Sequence, residues 1–372
     1  MIFSSQPSYL GVDLGASAAK IVELANEGKR ARLVTYGILD EPLDVVGKID
    51  PRQEPERVGL VLRELTKRIK TTTVKTFASL PTFSVFTSIM NVPTVAGKDL
   101  AAAVRWEAKK IVPLPIDDMV LDWKKLPSVV VSSAPEEHGL LPFAAEAKPH
   151  TRVLLTAAAK DLVKKYIEVF RHAGLQLMSL ETEAFALIRS LVGAEERVVM
   201  LVDIGAVNTD ISVIDHGIPF LNRSIDTGGL AITKVLADSL SVAIDQAEQM
   251  KRDFGAGREP VLPETLKVVV EPIVNELSYC MSLYERQRQV LAGTGPSPED
   301  RGNEMPIDKI ILTGGSSELS GLSQYLAQRL NIRVLCSSPW ARIMVPKELE
   351  GELGRVGPRL SIAIGLAMRD IV

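Results

Sequence analysis

With 372 residues, 46% hydrophobic and 24% charged, the chain has the balance of a folded globular protein and more length than one core usually holds. Its 43 Lys and Arg against 46 Asp and Glu leave a net charge of −3, which gives no electrostatic case for nucleic acid or anionic lipid. Cys280 and Cys336 lack metal-ligand spacing and read as free thiols of a reducing compartment, and no run reaches the ~18–20 apolar residues of a membrane span.

The opening MIFSSQPSYL lacks the charged-then-apolar pattern of a signal peptide and reads as a short tail before the first strand. An apolar strand then runs into Asp13-Leu14-Gly15, a second strand, a turn at Asn26-Glu27-Gly28 and a third strand. Val58, Val61, Leu62, Leu65 and Ile69 recur at helical spacing, with charges between them. After a strand at TFASLP comes a section with strand-like SVFTSIMNVP, an amphipathic helix around KDLAAAVRWEAKKIV, and then Pro113 and Pro115, enough for a small inserted subdomain. The long SVVVSSAPEEHGLLPFAAEAKPH mixes apolar bits with Pro, Ser and Glu and reads as a mobile hairpin loop. The chain is expected to return to the first lobe through strand RVLLTAAA, helix DLVKKYIEVFRHAG and helix TEAFALIRSLV.

The opening pattern then recurs. VVMLVDIGAVNTDISVIDHGIPFLNRSIDTGG has the same strand, Asp203-Ile204-Gly205, a second strand, a turn at Asp215-His216-Gly217 and a third strand. Asp13 to Gly28 and Asp203 to Gly217 differ in length by one residue, so the chain reads as two similar α/β lobes. Two helices follow Gly228-Gly229, with Leu240-Ser241 near their junction. RQRQVLAGTGPSPEDRGNEMP is rich in Gly, Pro and charge and is expected to be disordered. Strand IDKIILTGG, a helix, strand NIRVLCSS and a last helix PRLSIAIGLAMRDIV end the chain.

Asp13 and Asp203 each end a strand and precede x-Gly, which can hold a hydrated Mg²⁺ while the glycine lets backbone N–H groups turn toward phosphate oxygens. One such Asp alone reads as a capped tight turn; two at equivalent places in a repeat favour a ligand. Gly15, Ser17 and Lys20 in the first loop, and Gly205, Asn208 and Thr209 in the second, add donors. Gly314, Gly315 and Ser316 form a strand-to-helix turn against which a ribose or flat ring fits, and which a capped turn would explain as well. Glu248 and Lys251 lie three apart on one helix face, and alone they read as a solvated ion pair.

Taken in order, GVDLGASAAK, LVDIGAVNTD, AEQMK and LTGGSSELSGL resemble the superfamily of two-lobed nucleotide-binding proteins that includes actin, heat-shock chaperones and sugar kinases. LPTFSVFTSIMNVP, AAAVRWEAKKIVPLPIDDMVLDW and ETEAFALIRSL further resemble the PilM family of type IV pilus assembly proteins, related to FtsA, over about residues 8–372. The resemblance implies a two-lobed actin-like (duplicated ribonuclease H-like) α/β fold. Residues 8–75 would form the first lobe, 76–149 the FtsA/PilM-type insertion, and 150–193 the first lobe continued with a connecting helix. Residues 194–357 would form the second lobe, with 227–305 its outer part, and 358–372 a closing helix of the first lobe.

The resemblance also implies ATP or ADP with Mg²⁺. Asp13, Gly15, Ser17 and Lys20 would form the first phosphate loop, and Asp203, Gly205, Asn208 and Thr209 the second. Gly228, Gly229, Gly314, Gly315 and Ser316 would face the nucleotide, Glu248 and Lys251 would flank base and ribose, and Asp13 and Asp203 would serve the metal and, with Glu183, the catalytic role. The implied partner is the N-terminal segment of a PilN-like membrane protein, alongside other pilus platform proteins. That would place the chain in the cytoplasm, peripheral to the inner membrane, with self-association left open.

The pattern departs from an active ATPase at two points. Counting along the connecting helix puts Arg189 near the water-orienting position, where an arginine cannot act as a base. The first loop carries Ala16, Ala18 and Ala19 where hydroxyl residues are common. Both features imply at most slow ATP turnover. The alternative readings are an FtsA-like or plasmid-segregation-like filament protein, disfavoured because the chain ends at GLAMRDIV without an appended amphipathic helix, and a sugar-kinase-like phosphotransferase, disfavoured by the lack of a well-placed carboxylate base.

Overall fold

The computed structural model describes residues 6–28, 30–40, 54–95, 97–127, 150–256, 261–292 and 307–371. Both segments expected to be mobile fall mainly outside these ranges. The chain divides into two compact units, one of residues 1–83, 164–285 and 303–372, the other of residues 84–163 and 286–302.

The larger unit contains the two lobes. In the first, β1 (Ser8–Leu14), β2 (Ala18–Glu27) and β3 (Arg30–Asp40) form an antiparallel meander. Helix α1 (Pro55–Arg68) starts on a proline, which needs no N–H partner there, and buries Val58, Leu62 and Leu65 at i, i+4 and i+7. Each of those side chains contributes about 1.5–3 kcal/mol by leaving water. Strand β4 (Lys75–Leu80) then pairs parallel to β1.

In the smaller unit, β5 (Val85–Pro93), α2 (Gly97–Ile111), β6 (Met119–Lys125) and β7 (His150–Ala159) build a three-stranded antiparallel sheet with β7 in the centre. Val153, Leu155 and Ala157 of β7 pack with Val104 and Ala108 of α2 in one core. This corrects the expected limits of the insertion. Strand 75–80 belongs to the first lobe's sheet, and strand 150–159 is the middle of the insertion, so the insertion occupies 84–163 rather than 76–149. The apolar run of β7 suits burial in either sheet, and only its long-range pairing to β5 and β6 decides between them.

Helix α3 (Lys160–Ala173) leads to β8 (Gln176–Thr182), a strand absent from the sequence reading, which pairs parallel to β4. The connecting helix follows as α4 (Glu183–Leu187), continued by a π-helical turn over Ile188–Val192.

The second lobe repeats the first. Strands β9 (Val199–Ile204), β10 (Thr209–Asp215) and β11 (Ile218–Ile225) form the antiparallel meander, and His216 and Gly217 take positive φ at the expected turn. Helices α5 (Gly229–Leu240) and α6 (Ile244–Ala256) meet where Ser241 turns left-handed. The long α7 (Glu264–Ala292) was not anticipated. Strand β12 (Lys309–Thr313), helix α8 (Leu322–Leu330) and strand β13 (Arg333–Cys336) complete the sheet.

The strand orders β3-β2-β1-β4-β8 and β11-β10-β9-β12-β13 are equivalent, each a meander followed by two parallel strands. The two-residue strand β14 (Ile343–Met344) extends the first sheet at β3. The fold is therefore the duplicated actin-like α/β architecture.

The closing helix α9 (Glu350–Ala367) begins eight residues before Pro358, where the sequence suggested it would start. Pro358 is accommodated inside it, and its carbonyl accepts bonds from the Gly314 N–H and the Thr313 hydroxyl, both at 3.0 Å. Leu360, Ala363, Ile364 and Ala367 of α9 pack with Val22 and Leu24 of β2. Gly11 on β1 has no room for a Cβ, because that atom would fall on the Ala363 carbonyl and the Ala367 nitrogen.

Candidate functional site

Strand ends of both lobes meet at a cavity of about 550 Å³. In the first lobe the Gly15 N–H donates to Ala18 O at 3.1 Å; in the second the Gly205 N–H donates to Asn208 O at 2.9 Å. The same three-residue closure thus caps the same strand twice. It presents Gly15, Ala16 and Ser17 on one wall, and Gly205, Ala206, Val207 and Asn208 on the other. A third wall comes from Gly314, Gly315 and Ser316 after β12. Gly314 has φ +87°, and its Cβ position is filled by the Asp203 carboxylate and the Ile204 carbonyl, so only glycine brings this turn against the end of β9.

Asp13 is buried, and its Oδ2 accepts from Lys20 Nζ at 2.8 Å. The two are cross-strand neighbours on β1 and β2. Burial alone would lower the Lys20 ammonium, but the Asp13 and Asp203 carboxylates outweigh it and hold it above its ordinary value. The equivalent cross-strand pair in the second lobe is Asp203 and Asp210, two carboxylates. Burial, with Asp210 and Asp13 adding to it and Lys20 opposing it, pushes Asp203 up to about 7.

Burial also raises Asp210, against an opposing contribution from the Ser224 hydroxyl across the strand pair, although no well-aligned hydrogen bond reaches its buried Oδ1. Glu183, the first residue of α4, accepts from Thr82 N at 2.8 Å and Thr82 Oγ1 at 2.7 Å. Burial, joined by the charges of Asp210 and Asp13 and opposed by the Thr82 hydroxyl, raises it well above its ordinary value.

Four acids and one lysine therefore share the end of the cavity. The excess of carboxyl groups over the one ammonium on this wall suits a divalent cation. Among the described residues no three Asp, Glu, His or Cys side chains form a ready metal cage, so an ion here would be held largely through water, as suits Mg²⁺. Asp13, Asp203 and Asp210 are the side chains that would face it.

On the far wall, Glu248 and Lys251 of α6 line the cavity and are mostly buried, so they are not a solvated face. Lys251 Nζ donates to Glu248 Oε2 (2.6 Å), Thr233 Oγ1 (2.8 Å) and Gly229 O (3.0 Å), using all three of its protons. Burial lowers the lysine; it would also raise Glu248, but Lys251 and the hydroxyl of Thr233 reverse that and hold the carboxyl below its ordinary range. Gly229 belongs to the wall, while Gly228 packs behind Ala206 and Val207.

Other expectations are corrected by the geometry. Thr209 is fully buried and gives its hydroxyl proton to Thr227 O at 2.6 Å, away from the cavity. Arg189 pairs with Glu181 and donates to Gly365 O at 2.8 Å, while Glu183 occupies the cavity wall. Ala18 and Ala19 are core residues of β2, which leaves Ala16 as the one alanine of the first loop on the wall. The sequence reading missed Asp210, although it follows Asp203 by the seven residues that separate Lys20 from Asp13. It also missed Phe83, Tyr166, Arg355 and Arg359, which reach the wall from elements distant in sequence.

The family model described as "Type IV pilus assembly protein PilM" matches residues 11–371. Among solved structures, a PilM-PilN type IV pilus biogenesis complex has a chain 25% identical with a TM-score of 0.76, covering 98% of each chain. The ethanolamine utilization protein EutJ from Carboxydothermus hydrogenoformans, 18% identical with a TM-score of 0.51, covers 97% of this chain and 90% of its own and shares the fold.

The cell division protein FtsA of Neisseria meningitidis is 25% identical over 239 residues, 58% of this chain and 53% of that protein. FtsA of Pseudomonas aeruginosa is 25% identical over 287 residues, 70% of this chain and 63% of that protein. The chain thus spans between about half and two thirds of the length of these curated relatives. A match running from the first strand to the last helix, on a fold with this duplicated strand–loop–strand repeat, leaves one assignment: the chain belongs to the PilM family of type IV pilus assembly proteins.

Proposed function

We propose that the chain is a nucleotide-binding scaffold of the type IV pilus inner-membrane platform, binding ATP or ADP with Mg²⁺ and recruiting the N-terminal segment of a PilN-like membrane protein. The observation that carries the nucleotide reading is the pairing of two equivalent capped loops over a cluster with more carboxyl groups than ammonium groups. Loop backbone at Gly15 and Gly205, with the Lys20 ammonium, suits phosphate oxygens. When bound, Mg²⁺ would neutralise the phosphate charge that Asp13, Asp203 and Asp210 otherwise repel. Gly314, Gly315 and the Glu248–Lys251 pair would shape the nucleoside end.

Turnover is at most slow on this reading. Glu183 is the acid best placed to orient water, and its carboxyl is already tied to the N–H and hydroxyl of Thr82. The partner reading rests on the similarity to the chain of the PilM-PilN complex. No helix of the described residues is long and apolar enough to cross a membrane, so attachment through a partner suits the chain. The similarity to FtsA favours a second reading as a filament former, which sedimentation with ATP addresses.

A synthetic peptide of the membrane partner's N-terminus, immobilised and offered to the purified chain with and without ATP and Mg²⁺, tests the scaffold reading. Capture in at least one nucleotide state is expected, and no capture in either contradicts it. Asp13→Ala and Asp203→Ala are expected to abolish MgATP binding in calorimetry while keeping the native circular dichroism spectrum. Wild-type affinity in both variants would overturn the phosphate-site assignment.

A further inference from the structure

We infer that Arg359, presented by α9, is a phosphate-binding residue of the cavity that exchanges its partner Asp40 for the nucleotide's phosphate groups. The inference rests on the nucleotide reading and adds a residue from the closing helix, outside both repeated loops.

The placement is structural. Pro358, the preceding residue, holds the Gly-Gly turn through its carbonyl, with Gly314 N and Thr313 Oγ1 both at 3.0 Å. That contact fixes α9 beside the third wall of the cavity. The Arg359 stem then crosses Gly315, where a Cβ would lie 3.8 Å from its Cγ and 4.0 Å from its Nε. Arg355, one turn earlier on the same helix face, also lines the cavity. The positive charge of Arg359 is felt at Lys20, where it opposes the ammonium, so the two cations approach one region of the cavity.

Of the other cations on the wall, Arg355 shares the helix face of Arg359, and the remaining three have prior commitments. Lys20 is bound to Asp13, Lys251 has used all three protons, and Arg252 donates to Glu248 Oε1 at 3.2 Å. Among the described residues Arg359 bonds only Asp40, through Nη2, and leaves most of its five N–H donors unused. That ion pair is partly open to solvent, with the Asp40 side chain 42% exposed, so water can take over the carboxylate cheaply. A guanidinium that trades an exposed carboxylate for a phosphate gains a second parallel hydrogen bond without burying a new unpaired charge.

Calorimetric titration of the full chain with ATP, ADP and adenosine, all in Mg²⁺, decides the matter. Arg359→Gln is expected to weaken ATP and ADP by about tenfold and to leave adenosine unchanged, with partial recovery in Arg359→Lys. Asp40→Asn should strengthen ATP binding severalfold, and that gain should vanish in the Asp40→Asn/Arg359→Gln double variant. Wild-type ATP affinity in Arg359→Gln, or an equal loss for adenosine, overturns the assignment. If Arg359→Gln does not fold, unchanged or weaker ATP binding by Asp40→Asn overturns it instead. A wild-type chain that binds no ATP is a different result: it removes the nucleotide reading itself, and this assignment with it.

Discussion

The two copies of the strand–loop–strand repeat have the same backbone and opposite charge logic. In the first, residue 13 faces residue 20 across the meander and the pair is Asp–Lys at 2.8 Å. In the second, residue 203 faces residue 210 and the pair is Asp–Asp, with no well-aligned hydrogen bond to Asp210 Oδ1. Duplication has kept the loop closure, from Gly15 to Ala18 and from Gly205 to Asn208, while the cross-strand neighbour has changed sign. The first loop is electrostatically complete without a ligand. The second carries two like charges that Lys20 offsets only in part, and a bound cation would relieve them. A cavity with one satisfied and one unsatisfied jaw is suited to binding a metal–polyphosphate from one side.

The largest expected effect comes from breaking the satisfied jaw. Lys20→Ala leaves Asp13 buried and unpaired, which should cost about 3–5 kcal/mol in chemical denaturation. A loss under about 1 kcal/mol would mean that Asp13 readily finds water, and the contrast between the copies would fail. Gly314→Ala comes next. It forces a side chain into positive φ against Asp203, and about 1–3 kcal/mol should disappear from stability, together with nucleotide affinity.

Relieving the second jaw should act in the opposite direction. Asp210→Asn removes one of the repelling charges and should stabilise the ligand-free chain by about 1 kcal/mol while weakening Mg²⁺-dependent binding. Destabilisation by that variant would show that Asp210 is already satisfied. The smallest effect is on pH. Asp203 and Asp210 have folded-state values above their ordinary 3.8, with Asp203 near 7, so the folded chain holds more protons than the unfolded one in between. Their contribution to stability is complete below pH ~4 and is lost as pH rises through about 7. The ligand-free melting temperature should therefore fall by a few degrees from pH 5.5 to pH 8, and fall less in Asp210→Asn.

What the sequence made legible is what lies close along the chain. Asp13 with Gly15, Asp203 with Gly205, and the turns at Gly28 and Gly217 repeat at nearly fixed spacing, and spacing survives without coordinates. The Glu248–Lys251 pair was found by its helical step, but its burial was not, because burial depends on α5 and the Gly-Gly turn.

Strand β7 was given to the wrong sheet because its apolar run carries no record of which edges it pairs with. Arg189 was placed at the cavity by counting from a motif. Six residues after Glu183, with a π-helical turn intervening, the helix points it elsewhere, toward Glu181 and Gly365. Arg359 was invisible for a third reason. It reaches the site only because a proline carbonyl inside α9 holds a turn 44 residues earlier in the chain, between Pro358 and Gly314.

If the second jaw needs a cation, nucleotide binding at this cavity depends on the metal. Titrating ATP into the wild-type chain, once in Mg²⁺ and once in EDTA, tests it most directly. Binding is expected at one site per chain in Mg²⁺, with at least tenfold weaker affinity in EDTA. Equal affinity in both buffers, or no binding in Mg²⁺, would contradict it.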